Sequence, residues 1–100
     1  MAYLAVLYPW TAGARFDARY YVDTHLAIVR DAWTDHGLID ATVLFPVEAD
    51  PAFAAIATLE FADEAAIDAA LASPGAARVF GDVAAFTDIG PVAQRCRMAR

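Results

Sequence analysis

One histidine occupies a position where an apolar side chain is expected. Residues 16 to 33, FDARYYVDTHLAIVRDAW, place apolar side chains on one side and charged ones on the other when each residue advances by about 100°. His25 falls in the middle of the apolar side, and Tyr21 precedes it by one turn on the same face. A neutral imidazole in an apolar pocket can accept a proton from an activated carbon or hydroxyl. The pattern therefore predicts His25 as a general acid or base, with Tyr21 beside it.

A structural interpretation of these side chains remains open. His25 can instead be a core histidine whose two nitrogens bond to a backbone carbonyl and a hydroxyl, and Tyr21 an aromatic core residue whose hydroxyl reaches the surface. Asp88, in the segment FTD, either orients His25 as its carboxylate partner or forms a local turn together with Thr87. We take His25, Tyr21 and Asp88 as the candidate catalytic residues.

Four aromatic side chains are candidates for the wall of a pocket near His25. Two of them, Tyr8 and Trp10, lie on either side of Pro9 at the carboxyl end of the first apolar run. The other two, Phe80 and Phe86, belong to an apolar stripe at helical spacing near the end of the chain. Core packing is the best explanation of the stripe, and Tyr8 and Trp10 can equally pack against the start of the helix, so the place of all four in a substrate pocket is a hypothesis.

The composition indicates one domain that needs a partner. The 100 residues are 60% hydrophobic and 20% charged, and we expect a single domain over residues 1–100. A small monomer cannot easily hide that much apolar surface, which favours a homodimer. A net charge of -6 with only seven basic residues argues against nucleic acid and anionic membranes as partners.

Other segments and side chains exclude several classes of protein. No run of about 18 apolar residues exists, and the start MAYLAVLYPW has neither a basic leader nor a cleavage site, so we expect a cytoplasmic protein. Cys96 is the only cysteine, and His25 and His36 stand eleven residues apart without the spacing of a metal motif. No glycine-rich phosphate loop is present. We therefore expect neither a metal nor a cofactor.

The periodicity predicts an α+β fold with the order βαββαβ. Gly37 is placed to close the first helix as a left-handed cap, Asp63 to cap the second helix, and Ser73-Pro74 to restart it. This order is the ferredoxin-like plan, in which both helices cover one face of a four-stranded antiparallel sheet. Two open sheet faces packed together would form a dimeric α/β barrel. The predicted strands are residues 2–8, 40–47, 53–61 and a last one within 90–98, and the predicted helices are 16–33, 62–73 and the stretch from Ser73 to Phe86.

Several segments of the chain resemble the EthD family of small dimeric α/β barrel proteins. They are VLYP, RFDARYYVDTHLAIV, FADEAAIDAALASPGAARVFGDVAAFTD and the proline before the last strand, and together they span Tyr8 to about Pro91. The resemblance implies a ferredoxin-like fold, dimerisation through the sheets and a pocket between sheet and helices. The family is named after a gene cluster for ethyl tert-butyl ether degradation, in which a cytochrome P450 performs the oxidation.

Three functions compatible with this resemblance remain open. The first is cofactor-free acid/base chemistry on a small hydrophobic oxygenated compound, with His25 as proton carrier. The second is a non-catalytic binding protein that serves a partner oxidase such as a cytochrome P450. The third is a haem-binding barrel with His25 as iron ligand, which the scarcity of arginines for the haem propionates disfavours. Fold alone does not decide among them.

Overall fold

The computed structural model describes residues 1–99, which form a four-stranded antiparallel sheet in the order β2-β3-β1-β4. The two central strands, β1 and β3, pair along their whole lengths, and β2 and β4 are the edges. The predicted ferredoxin-like fold is confirmed. The strands are β1 Ala2–Pro9, β2 Leu38–Leu44, β3 Phe53–Phe61 and β4 Val92–Arg97.

The first helical layer is continuous but not uniform. It consists of α1 Ala18–Tyr20, a π-helical turn Tyr21–His25 and α2 Leu26–Trp33. Asp17 caps its start by accepting a hydrogen bond from the backbone N–H of Tyr20 at 3.0 Å. Within the π-helical turn, the N–H of Leu26 donates to the carbonyl of Tyr21, five residues back. Such turns are frequent at functional sites, and this one begins and ends on the two candidate residues.

The second helical layer lies after β3 and has three short segments. They are α3 Glu64–Ala72, α4 Pro74–Gly81 and α5 Val83–Phe86. Asp63 caps α3 through the N–H of Ala66, as predicted. Ser73 precedes Pro74 at the start of α4, but its hydroxyl donates backwards to the carbonyl of Ala70 at 2.6 Å and does not cap α4.

A glycine determines where the first layer ends and β2 begins. Gly37 has φ +93°, and it closes the short 3-10 turn Thr34–His36 that follows α2. The predicted left-handed cap is therefore present. β2 starts at Leu38, directly after this cap, and ends at Leu44 before Pro46, whose nitrogen cannot donate to a ladder. Compared with the predicted range 40–47, β2 thus begins two residues earlier and ends three residues earlier.

The two faces of the sheet differ in what covers them. On β1, Leu4, Val6 and Tyr8 face the helices, whereas Leu7 and its cross-strand neighbours lie on the uncovered face. The register aligns four large apolar side chains across all strands of that uncovered face, and its two edge members are 67% and 55% exposed. We call this set the apolar row. It consists of Leu44, Ile56, Leu7 and Val92.

None of the helices in residues 1–99 combines the length and the apolar character that a membrane crossing requires.

Candidate active site

A cavity of about 300 Å³ lies between the helix-facing side of the sheet and both helical layers. Aliphatic side chains form most of its wall, contributed by Leu4 and Val6 of β1, Leu59 of β3 and several helical residues. Its polar side chains are Tyr8, Tyr21, His25 and Trp33. An apolar pocket with a few converging polar groups is the usual architecture of a small-molecule site.

His25 is fixed on the cavity wall by a carboxylate. The histidine is 3% exposed, and its Nδ1 lies 2.9 Å from Oδ2 of Asp82. An ionised carboxylate only accepts hydrogen bonds, so Nδ1 donates in this contact, and in the neutral ring Nε2 then carries the lone pair. Because Nδ1 is engaged by Asp82, Nε2 is the nitrogen left for the cavity that His25 lines.

A second tyrosine holds the carboxylate from the other side. The hydroxyl of Tyr20 donates to Oδ1 of Asp82 at 2.8 Å, and this bond raises the pKa of Tyr20. Both oxygens of Asp82 therefore have defined partners, and the three side chains form a chain from Tyr20 through Asp82 to His25. Such an arrangement fixes both the tautomer and the orientation of an imidazole.

The position of Asp88 corrects the sequence interpretation. Its Oδ1 accepts the backbone N–H of Arg15 at 2.9 Å, while Thr87 donates to the carbonyl of Arg15 at 2.6 Å. Thr87 also accepts the N–H of Ile89, so a local turn is present at Thr87, whereas Asp88 bonds to a distant loop and neither to its own backbone nor to His25. Asp88 thus anchors the loop before α1, and Asp82 takes the role of carboxylate partner. The sequence offered only a weak signal for Asp82, a polar residue within an otherwise apolar stripe.

Tyr21 and Tyr8 are neighbouring buried phenols next to His25. The ring centroid of Tyr21 is 5.0 Å from that of His25, and the Tyr8 ring stands nearly perpendicular to Tyr21 at 6.0 Å. Burial raises the pKa of Tyr21 to about 12, an effect that the neighbouring hydroxyl of Tyr8 partly offsets. The pKa of Tyr8 is raised by burial first and then by the neighbouring Tyr21. Both phenols are therefore protonated at neutral pH.

The predicted pocket aromatics divide into two groups. Tyr8 and Phe80 lie on the cavity wall, and Phe80, 54% exposed, stands at its opening. Phe86 does not line the cavity, because its ring is completely buried behind His25 at a centroid distance of 4.6 Å. Trp10 is also absent from the wall. It follows the irregularity at the end of β1, and its backbone N–H bonds to Ala52 beyond the sheet.

Three wall or support residues were not identified as site residues from the sequence. Tyr20 does not line the cavity, but its hydroxyl reaches Asp82. Trp33 lies two turns after His25 on the same helix face, and its buried indole N–H has no hydrogen-bond partner among residues 1–99. Val29 lies between them on the wall. The helical spacing of His25, Val29 and Trp33 is the signal that could have found the last two.

The described residues do not fit a haem. No arginine lines the cavity, so the propionates would lack partners, and the volume of about 300 Å³ is at the lower end of ligand pockets. Within residues 1–99, no three metal-ligating side chains gather in one place. The polar groups of the cavity can instead donate and accept single protons.

Comparison with solved structures places the chain in a family. It is similar to an EthD-like protein from Ralstonia eutropha, with 33% identity, a TM-score of 0.81, and coverage of 95% of this chain and 88% of that one. An ethyl tert-butyl ether degradation family protein from Bacillus halodurans shares the fold at 18% identity and a TM-score of 0.76, each chain covered to 99%.

A third solved structure extends the same fold to an enzyme. This cofactor-independent oxygenase from Streptomyces nogalater matches at 16% identity and a TM-score of 0.66, over 99% of this chain and 92% of that one. A scan of protein-family models and a search of curated proteins found no match. With one third of its residues identical over nearly its whole length, the chain belongs to the EthD-like family of ferredoxin-fold proteins.

Proposed function

We propose that the protein processes or degrades a small hydrophobic oxygenated compound by cofactor-free acid/base chemistry, with His25 as proton carrier. The observation that carries this proposal is the buried imidazole whose Nδ1 is bound by Asp82 and whose other nitrogen is left for an apolar cavity. A structural core histidine would have both nitrogens occupied by protein groups.

Asp82 gives this imidazole the properties of a base. When His25 accepts a proton on Nε2, the imidazolium lies 2.9 Å from a carboxylate that stabilises it. The low polarity of the cavity strengthens that electrostatic interaction, because little water competes with it. The site therefore favours a proton transfer that creates a cation on His25 and an anion on a bound molecule.

The proposal includes a homodimer, in which two copies of the protein pack through the uncovered faces of their sheets. The two edge members of the apolar row, Leu44 and Val92, are exposed in the isolated chain and its two central members are partly exposed, and a contiguous apolar face of this kind marks an interaction surface. An isologous contact between two copies covers the row on both chains at once. Packing the two sheets face to face gives the dimeric α/β barrel.

A non-catalytic role is the second candidate, because the cavity wall is almost wholly apolar and would hold a hydrophobic compound without converting it. In that role the protein would deliver its ligand to a partner oxidase such as a cytochrome P450. The two functions differ in whether a bound molecule loses a proton to His25.

The base-catalysed ring opening of 5-nitrobenzisoxazole tests the proposal. A general base removes the ring C–H proton, the N–O bond breaks, and a coloured nitrile phenolate forms. We expect catalysis over buffer, and His25→Gln should lower the rate by about 10²- to 10⁴-fold, the range for a positioned base. His36→Gln is the matched control, since His36 lies outside the cavity wall.

Two results would contradict the catalytic proposal. One is a wild-type rate no faster than that of buffer, and the other is a His25→Gln variant that retains the wild-type rate. Binding of the probe without conversion, measured by quenching of tryptophan fluorescence, would favour the non-catalytic role.

A further inference from the structure

We infer that the cavity takes a neutral carbonyl compound with an acidic C–H next to the carbonyl, whose oxygen Tyr21 binds while His25 removes the proton. This inference rests on the proposed function and names its substrate class. It follows from a hydrogen-bond donor and a proton acceptor placed side by side on one π-helical turn, with ring centroids 5.0 Å apart.

Tyr21 supplies the donor. Burial keeps its phenol protonated, and Tyr21 lies on the cavity wall beside His25. A donor of this kind stabilises the negative charge that develops on a carbonyl oxygen when the adjacent carbon is deprotonated.

His25 supplies the acceptor. In the neutral ring, the bond to Asp82 places the proton on Nδ1 and leaves Nε2 as the acceptor, and the ring packs against Phe86. A carbonyl oxygen and the hydrogen on its neighbouring carbon are only a few bonds apart in any such compound. Tyr21, the hydrogen-bond donor, therefore suits the carbonyl oxygen, and His25, the proton acceptor, suits the neighbouring C–H group.

The charge of the wall determines the charge of the substrate. None of the arginines among residues 1–99 lines the cavity, whereas Asp82 lies directly behind His25. A bound carboxylate would lose its water without gaining a cation and would be repelled by Asp82. The remaining wall, formed by residues such as Val79, Leu71 and Leu59, takes an apolar body.

The step is a balanced proton transfer. The C–H pair of electrons forms a carbon–carbon double bond, the carbonyl π pair moves to oxygen, and the proton goes to Nε2 of His25. The enolate oxygen is hydrogen-bonded by Tyr21, which keeps its proton. The imidazolium then returns the proton, either to the same carbon or to the far end of a conjugated dienolate.

Isomerisation of 1-phenylbut-3-en-1-one to 1-phenylbut-2-en-1-one is the direct test. Its neutral aryl ketone carries an acidic methylene group between carbonyl and alkene, and the conjugated product is followed by its near-ultraviolet absorbance. His25 moves one proton from the methylene carbon to the terminal carbon, so no exchange with solvent is needed. We expect wild-type catalysis that His25→Gln abolishes.

The Tyr21→Phe variant isolates the oxyanion donor. Removing one such donor lowers turnover by about 10²-fold or more. Tyr3→Phe is the matched control, because it also removes a phenol hydroxyl, but from a residue that does not line the cavity. Thermal unfolding of each variant verifies that the fold is kept.

Competition by two naphthalenes tests the charge of the substrate. 2-Naphthol resembles a neutral enol and 2-naphthoate is an anion of the same ring system. We expect 2-naphthol to inhibit the isomerisation, with at least about tenfold weaker inhibition by 2-naphthoate, since an unpaired buried charge costs well over 1.4 kcal/mol.

The outcomes separate this inference from the proposed function. If 5-nitrobenzisoxazole is converted in a His25-dependent way but the ketone is not, the inference fails and the proposed function stands. Equal rates for Tyr21→Phe and wild type, or equal inhibition by both naphthalenes, would also overturn the inference. If neither probe is converted, both fail.

Discussion

His25 and Asp82 meet at 2.9 Å although 57 residues separate them in the chain. The histidine comes from the π-helical turn of the first helical layer and the aspartate from the end of α4, so the docking of the two layers builds the pair. The side chain of His25 is 4% exposed and that of Asp82 15%, which keeps their interaction poorly screened by water. Cavity, base and carboxylate are therefore products of one packing arrangement.

Replacement of Asp82 by asparagine should slow proton transfer without changing the residues that line the cavity. The uncharged amide no longer stabilises an imidazolium, and a charge-assisted hydrogen bond contributes about 1.5–3 kcal/mol. We expect the rate on 5-nitrobenzisoxazole to fall about ten- to hundredfold. Asp31→Asn is the matched control, because Asp31 pairs with Arg78 on the exposed surface. An Asp82→Asn variant that keeps the wild-type rate would remove Asp82 from the mechanism.

Tyr20 should act as a positioning residue. It bonds to Asp82 but does not line the cavity, so Tyr20→Phe frees one carboxylate oxygen without changing the binding surface. We expect kcat to fall about three- to tenfold, the equivalent of one ordinary hydrogen bond, while KM is unchanged. The measurement is steady-state kinetics on the same probe. A change confined to KM would show that Tyr20 acts on binding instead.

Alkaline pH should destabilise the fold through the buried phenols. Burial raises the pKa of Tyr21 from 10.0 to about 12, and that of Tyr8 is raised as well. A raised pKa means that the folded state holds the proton more tightly, so this contribution is complete below about pH 10 and disappears as the pH rises through about 12. For Tyr21 alone, this contribution to the free energy of unfolding is on the order of 2–3 kcal/mol.

Urea unfolding between pH 9 and 12 measures this loss, with tyrosinate absorbance as a second signal. Tyr21→Phe should show a smaller decrease in the free energy of unfolding across the window, whereas Tyr3→Phe should behave as wild type. If Tyr21→Phe loses stability with pH as steeply as the wild type, Tyr21 does not titrate with folding.

Dimerisation should depend on the apolar row. Val92→Asp places a charge on the exposed edge of the row without touching the core, and a buried unpaired carboxylate in the interface should weaken association by at least about tenfold. Val47→Asp is the control, since Val47 is fully exposed in a loop away from the sheet face. Sedimentation equilibrium distinguishes the two. A Val92→Asp variant that dimerises like wild type would place the interface elsewhere.

The fold could be predicted because its signals are local. The apolar run of β1, the imperfect alternation along β3, the cap at Asp63 and the left-handed Gly37 each depend on neighbouring residues, and the two strands, the cap and the left-handed glycine all appear in the structure. His25 could be singled out for the same reason, as a polar residue on an apolar helix face.

Partners from different elements could not be predicted in this way. Asp82 and Asp88 both lie within two residues of the end of an apolar helical segment, and no local pattern tells which carboxylate reaches His25. The π-helical turn could not be predicted either. It differs from an α-helix by a backbone hydrogen bond to the fifth instead of the fourth preceding residue, and this difference leaves the pattern of apolar side chains almost unchanged. Phe86 shows a related limit, since a stripe at helical spacing does not distinguish the wall of a cavity from the layer behind it.

The tautomer of His25 is the most direct test of the central claim, that Nε2 is an available base facing a cavity. Nitrogen-15 NMR of the imidazole rings, recorded at a pH at which they are neutral, should show His25 protonated on Nδ1 and not on Nε2, and added 2-naphthol should shift the Nε2 resonance while leaving His36 unchanged. A protonated Nε2, or a His25 signal that 2-naphthol does not move, would contradict the account.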